Sequence, residues 1–332
     1  MKHVAVLGAG SWGTTLADLL ARKGLAVRLW AYEDAVAESI GRDHENTMFL
    51  PGARLAASLT ASTDLAGVVR GADVVVSAVP SHVARQVFTT AASALAPHSV
   101  VVSATKGIET ETLSLMSEVA KATLPPHRFV VLSGPSFAQE VFQGQPTAVV
   151  AASDDHAAAE SIQRLFATGY FRVYSNRDVI GTELAGALKN VIAIAAGILE
   201  GLGLGNNPRA ALVTRGLAEM TRLGVALGAD PGTFAGLAGM GDLILTTCGS
   251  LSRNRALGVA LAQGASFEDY RREHRTVAEG ANTAQAAVRL ANRHRVELPI
   301  AGQVANILFA GTSPRQAVAD LMERTLKPEQ WT

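Results

Sequence analysis

What the chain lacks narrows its identity before any motif is read. It has one cysteine, Cys248, which excludes an internal disulfide and a zinc cluster built on cysteines and fits a reducing cytosol. Aromatic residues make up 5% of the chain and charged residues 17%, with 29 Lys and Arg against 29 Asp and Glu. Nothing in that balance suggests a nucleic-acid groove or an acidic tail. A long apolar run is missing too, since the most apolar stretch, Val191 to Leu199, falls far short of the roughly 20 residues that a bilayer span needs. The opening Met-Lys-His-Val-Ala-Val-Leu imitates a signal peptide, but the glycines and then Asp18 break it, so it reads as mature sequence. What remains is an Ala-rich globular chain of 332 residues with 31 glycines, long enough for two domains.

The first half alternates strands and helices. Val4 to Leu7 reads as a strand, Gly8-Ala-Gly10-Ser-Trp-Gly13 follows at once, and a helical pattern runs from Thr14 to Lys23. A G-x-G-x-x-G spacing is a weak signal alone and a strong one between an N-terminal strand and a helix. Gly8 would make the tight turn, Gly10 would let the backbone approach a pyrophosphate, and Gly13 would let the helix pack on the strand, with helix N–H groups facing the anion. A second strand, Ala26 to Ala31, leads to Tyr32 and Glu33, where an acidic residue suits NAD and an arginine suits NADP. Glu33 lies beyond the strand end and no arginine is near, so the cofactor is NADP or NAD. Further strands are expected at Val74 to Val79, Val100 to Ala104, Phe129 to Leu132 and Ala148 to Ala151, as in a doubly wound parallel sheet. Ligands bind beyond the carboxyl ends of such strands, which singles out Pro80-Ser81-His82, Thr105-Lys106-Gly107 and Ser133-Gly134-Pro135-Ser136. His82 reads as a helix-start residue rather than a base, and Lys106 as a cation aimed at phosphate or cofactor.

After about Asp178 the strand patterns cease, so domains are expected at 1–180 and 181–332, the second all-helical. Glu183 to Leu199 is apolar on every face except for Lys189, and a buried ammonium is costly unless paired or used. Lys189 either snorkels to solvent or serves proton transfer. Helices are expected from Ala210 to Leu227 and after Asp230-Pro231, and Ala238 to Cys248 reads as a flexible loop carrying the carboxylate of Asp242. Gly201-Leu-Gly203-Leu-Gly205 follows a helix rather than a strand and is no nucleotide turn. Ser250 or Ser252 can cap a helix whose first turn carries Arg253 and Asn254. Arginine opposes the helix dipole there, a penalty that a nearby anion would remove.

Nine ordered blocks covering nearly the whole chain resemble one family, the bacterial-type NAD(P)-dependent glycerol-3-phosphate dehydrogenases: GAGSWGTTLA, NTMFLPG, SAVPS, ATKGIE, LSGPSFAQEV, ELAGALKNVIAIAAGI, AGMGDLILT, SRNRALG and VAEGANTA. The resemblance implies reduction of dihydroxyacetone phosphate to sn-glycerol 3-phosphate for phospholipid synthesis. It also implies a dinucleotide-binding Rossmann domain followed by an all-α domain of the 6-phosphogluconate-dehydrogenase-like type. By motif it assigns Ser11, Trp12, Ala138, Val277 and Glu279 to the cofactor, and Lys106 and Arg253 to both cofactor and substrate, while Tyr32 and Glu33 are cofactor candidates by their place after the second strand. It assigns Gly134, Ser136, Asp242, Ser252 and Asn254 to the substrate and makes Lys189 the catalytic lysine. Many members carry a basic residue where this chain has Tyr32-Glu33, which puts strict NADP preference in question.

Two rivals share parts of this pattern. A ketopantoate-type or hydroxy-acid reductase would keep the glycine turn and a lysine but lack the SRNRA block, and a non-catalytic dinucleotide sensor would have no reason to keep Lys189. Small-molecule partners, a cytoplasmic location, and no metal, nucleic acid or membrane span are expected. Oligomeric state stays open, with a homodimer one option.

Overall fold

The computed structural model describes residues 2–274, 278–326 and 328–329. Its strands are β1 (His3–Leu7), β2 (Ala26–Trp30), β3 (Glu45–Asn46), β4 (Leu50–Arg54), β5 (Thr60–Ser62), β6 (Val74–Ser77), β7 (Val100–Ser103), β8 (Arg128–Ser133), β9 (Thr147–Ala152) and β10 (Phe171–Asn176). Between them lie α1 (Ser11–Arg22), α2 (Asp34–Asp43), α3 (Leu65–Val69), α4 (Ser81–Ala91), α5 (Met116–Thr123), α6 (Ala138–Phe142) and α7 (His156–Phe166). Eight strands form one sheet in the order β10-β9-β8-β7-β6-β1-β2-β5, and β3 and β4 form a separate hairpin. The valine runs of β6 and β7 are buried along their whole length because helices cover both faces, as an α/β sheet requires.

The doubly wound Rossmann sheet is present, with departures in detail. β9 runs antiparallel to β8, and β10, which the sequence reading missed, runs parallel to β9 at the sheet edge. Its alternating burial, Phe171 and Val173 in and Arg172 and Tyr174 out, is that of a half-covered strand, a weaker signal than an all-valine run. Short β5 and the β3–β4 hairpin were missed as well, being too brief to show a period.

All described elements after residue 178 are helical: α8 (Val179–Gly201), α9 (Asn206–Ala226), α10 (Pro231–Ala235), α11 (Asp242–Cys248), α12 (Arg253–Ala262), α13 (Phe267–Glu273), α14 (Glu279–His294), α15 (Pro299–Phe309) and α16 (Pro314–Met322). Helix α8 is the axis of this half. Asp178 caps it through the Gly181 N–H at 2.8 Å, and α9, α11, α12 and α14 pack around it. It is longer than expected, and its 23 residues are apolar enough to cross a membrane by length and composition. Protein surrounds it instead, with 94% of its most apolar window buried. Ile108, Leu113 and Leu115 from the sheet half join the same apolar cluster, so the two halves share a core.

Residues 238–248 correct the sequence reading. The segment is not a flexible loop: Leu237–Gly241 forms a π-helical turn that runs directly into α11. Glycine allows it, because a Cβ on Gly239 would stand 2.1 Å from the Phe234 carbonyl oxygen. Gly239, one of the glycines that suggested a loop, is there for close packing.

Candidate active site

The glycine turn joins β1 to α1. Gly8 has φ +104°, a conformation that side chains disfavour, and its N–H donates to the Trp30 carbonyl at 3.1 Å. A Cβ on Gly13 would lie 1.9 Å from the Gly8 carbonyl oxygen, so only glycine lets α1 come this close. Gly10 faces open space, with nothing within 4 Å of a Cβ position. After Gly8, the next residue of this turn whose N–H finds a backbone acceptor is Thr14, which donates to the Gly10 carbonyl at 2.9 Å, and no side chain caps the helix. Uncapped N–H groups, open space and a helix N-terminus fit a pyrophosphate, so the turn suits a dinucleotide. Trp12 packs on the sheet core, and the Ser11 hydroxyl donates to the Phe49 carbonyl at 2.6 Å. Beyond β2, Tyr32 is 79% exposed and Glu33 occupies the position just before α2 without capping it. Glu33 therefore lies past the strand end, as read from the sequence.

Three strand ends meet the helical half. Lys106, beyond β7, donates to the Gly134 carbonyl at 3.2 Å and to Asp242 Oδ2 at 2.6 Å. Lys189, the eleventh residue of α8, donates to Asp242 Oδ1 at 2.5 Å and to the Thr246 hydroxyl at 2.7 Å, and Thr246 donates in turn to the Asp242 carbonyl. Asp242 is 0% exposed and Lys189 is 7% exposed. One buried carboxylate thus lies between two ammonium groups from different halves of the chain. Burial pulls the Lys189 pKa from 10.5 down to about 7, Asp242 opposing and Lys106 adding to the fall. Each ammonium has three hydrogens and two partners here, so one hydrogen on each has no partner among the described residues. The snorkelling alternative for Lys189 does not hold, since the head is buried and paired.

Glycines also set how closely α12 crosses α8. A Cβ on Gly197 would stand 2.0 Å from the Arg255 carbonyl oxygen, and one on Gly258 2.0 Å from that of Ile194. Ser252, not Ser250, caps α12 by accepting the Arg255 N–H at 3.3 Å. Arg255 makes a two-pronged contact with Glu200 at 2.7 Å on each arm, tying α12 to the end of α8. Arg253 is exposed in the first turn of α12 and has no ion pair among the described residues. The Asn254 amide is already engaged, donating to Asn190 Oδ1 at 2.9 Å and accepting the Gly280 N–H at 3.0 Å. The Asn254 side chain thus knits α8, α12 and α14, leaving one amide hydrogen and the backbone N–H.

The Ser136 hydroxyl donates to the Gly134 carbonyl at 3.0 Å, and a Cβ on Gly134 would come within 2.9 Å of Val149 Cα. Ala138 opens α6 and its carbonyl accepts the Thr15 hydroxyl at 3.2 Å, joining this block to α1. Glu279 opens α14 and accepts the Ser81 N–H at 3.3 Å and hydroxyl at 3.1 Å, so it bridges to the start of α4. Burial raises its pKa to about 7, with the Ser81 bonds and Arg253 pulling back. His82 sits in the first turn of α4, as expected. Val277 lies outside the described residues. Sequence reasoning missed Thr246, Asn190 and Asn46. A helical reading of 242–248 would have revealed Thr246, which falls four residues after Asp242 on the same face.

A glycine-turn sheet whose strand ends face a buried lysine on a central helix defines a two-part, dinucleotide-dependent dehydrogenase. Family models described as the N-terminus and C-terminus of NAD-dependent glycerol-3-phosphate dehydrogenase match residues 3–159 and 178–319, and the chain belongs to that family. It is similar to a glycerol-3-phosphate dehydrogenase [NAD(P)+] of Geobacter sulfurreducens, 56% identical over 99% of both chains. It is also similar to the crystal structure of glycerol-3-phosphate dehydrogenase from Coxiella burnetii, at TM-score 0.94 and 40% identity, covering 97% of this chain and 99% of that one. A ketopantoate reductase from Ralstonia eutropha, at TM-score 0.59 and 18% identity over 97% of this chain and 100% of its own, shares the fold alone.

Proposed function

We propose that Lys189, Lys106, Asp242 and the start of α12 carry out the family's reaction, the reversible reduction of dihydroxyacetone phosphate to sn-glycerol 3-phosphate, which supplies the phospholipid backbone. The observation that supports this reading most is the buried Lys189–Asp242–Lys106 cluster, formed where the two halves meet. NADH or NADPH, when bound, supplies the hydride; Gly8, Gly10, Ser11, Trp12 and Gly13 would hold its pyrophosphate, with Tyr32 and Glu33 toward the ribose and Ala138, Glu279 and Val277 completing its contacts. Charge develops on the carbonyl oxygen in the transition state, and a fixed cation stabilises it more than it stabilises the ketone. Lys189 as ammonium stabilises that oxygen and protonates it; in the oxidative direction its neutral amine takes the hydroxyl proton. A pKa near 7 lets one residue serve both directions.

Asp242 and Thr246 hold the Lys189 head in place, and Asp242 keeps the two ammonium groups together. Lys106, Gly134 and Ser136 would face the substrate from the strand ends. Arg253, with Ser252 and Asn254 at the start of α12, would hold the phosphate, where helix N–H groups already favour an anion. We assign 1–180 to dinucleotide binding and 181–332 to substrate and catalysis. The free Cys248 fits a cytoplasmic setting, and sedimentation at several concentrations would test the homodimer that the sequence left as one option. Initial rates with dihydroxyacetone phosphate and with ketopantoate, each with NADH and NADPH, test the reaction. Turnover of ketopantoate alone, or binding without turnover, would overturn it.

A further inference from the structure

Asn46 is 0% exposed, although it belongs to a two-residue strand in a surface hairpin. Its amide donates to the Ala9 carbonyl at 2.8 Å and to the Thr14 hydroxyl at 2.8 Å, and it accepts the Phe49 N–H at 3.0 Å. The partners fix the orientation of the amide, because a carbonyl can only accept and an N–H can only donate. Thr14 Oγ1 donates to the same Ala9 carbonyl at 3.2 Å. One backbone carbonyl of the glycine turn therefore receives two side-chain donors. The contact is reciprocated, since the Ser11 hydroxyl reaches back to the Phe49 carbonyl at 2.6 Å.

The carbonyl and N–H of one planar peptide point in opposite directions. Fixing the Ala9 carbonyl toward Asn46 and Thr14 directs the Gly10 N–H the other way, on the residue with open space before it and just ahead of the uncapped N–H groups of α1. We propose that Asn46 is a positioning residue for dinucleotide binding, which locks the Ala9–Gly10 peptide so that the turn presents its N–H groups to the pyrophosphate before the ligand arrives. The inference rests on the dinucleotide reading above. An anion site assembled in advance avoids the cost of ordering at binding, so the lock acts on affinity rather than on the chemical step.

Three variants test it: Asn46→Ala, Asn46→Asp and Thr14→Val. Dissociation constants for NADH and NADPH are measured by fluorescence or calorimetry on the full chain, with Tm and steady-state rates on the same samples. Parent protein that binds neither dinucleotide would sink the functional reading itself, separately from this one. Asn46→Ala should weaken binding at least about tenfold, while kcat at saturating dinucleotide stays within about threefold. Asn46→Asp has nearly the parent volume but turns a carboxylate toward the Ala9 carbonyl, so it should be worse than alanine. A merely structural role predicts instead that any loss of affinity follows the fall in Tm and that kcat at saturating dinucleotide falls with it, since a carboxylate buried against a carbonyl destabilises the fold as well. Thr14→Val keeps the volume and removes both the second donor to the Ala9 carbonyl and the acceptor of one Asn46 amide hydrogen, so it should cost about threefold, and it carries the test alone should the Asn46 variants fail to fold. Parent-like affinity in a folded variant, or an aspartate variant that binds better than the alanine one, overturns the proposal.

Discussion

Asp242 Oδ1 lies 2.5 Å from Lys189 Nζ, and its other oxygen lies 2.6 Å from Lys106 Nζ. The carboxylate comes from α11 and the two lysines from α8 and the loop after β7, so the cluster forms only when both halves of the chain pack together. Its geometry makes the three residues a unit. The carboxylate offsets two cations in a place where either alone would be costly.

Removing that carboxylate is the first prediction. Asp242→Ala leaves two neighbouring ammonium groups without their anion, and breaking a buried pair typically costs about 3–5 kcal/mol. Tm should fall clearly, and kcat by at least about 10²-fold as Lys189 loses its orientation and its proton. A variant with parent Tm and parent kcat would show that the three residues do not act together.

Arg253 is the second. It is exposed at a helix start, a position unfavourable for a cation in the absence of an anion. Arg253→Ala should raise KM for dihydroxyacetone phosphate at least about tenfold, a modest estimate for losing a charge-assisted phosphate contact worth about 2–5 kcal/mol. Unchanged KM and kcat would return Arg253 to being a solvated arginine.

These residues also show what the sequence could reveal. The glycine turn, the valine strands and the apolar α8 with its single ammonium were legible because each depends on local pattern. Asp242 was legible as a carboxylate but not as a buried one, since its helix begins in a glycine-rich π turn that resembles a loop. Asn46 was invisible for another reason: its partners Ala9 and Thr14 are 37 and 32 residues away, and no local period records such a contact. The Asn190–Asn254–Gly280 chain is of the same kind, joining three helices through one amide.

Cofactor preference follows from the end of β2. With Glu33 facing the ribose as proposed, a 2'-hydroxyl should be tolerated and a 2'-phosphate repelled, so NADH should be used at least comparably to NADPH. A kcat/KM more than about 100-fold higher for NADPH, or roughly 2.7 kcal/mol, would contradict this.

Stability should depend on pH through a carboxylate far from the chemistry. Glu219 accepts the Ile300 N–H at 2.7 Å and the Ala301 N–H at 3.3 Å, and burial raises its pKa from 4.5 to about 7. Between those values the folded chain binds the extra proton, so the stability that Glu219 contributes is present below about pH 4.5 and is lost as pH rises through 7. The full span is on the order of 3 kcal/mol. Glu219→Gln cannot ionise, so its Tm relative to the parent should improve from pH 5 to pH 8. A difference that is constant with pH would mean that Glu219 does not titrate in this range.

Lys189 decides between catalysis and packing. If its ammonium stabilises and protonates the developing alkoxide, its loss strikes the transition state, and Lys189→Ala should lower kcat by at least about 10²-fold. Dinucleotide affinity, set largely at the glycine turn, should stay within a few fold. Lys189→Arg keeps a charge but scarcely gives up its proton, and it is bulkier, so it should not restore the rate. The pH profile is the sharper measurement. With a folded pKa near 7, the ammonium needed for ketone reduction is lost as pH rises through 7, while the amine needed for alcohol oxidation appears over the same range. The reductive kcat should therefore fall and the oxidative kcat rise across that window, and both limbs should vanish in Lys189→Ala. A packing role predicts the reverse: whatever Tm Lys189→Ala loses because Asp242 is left with one ammonium fewer, the folded protein keeps within about threefold of the parent rate at every pH.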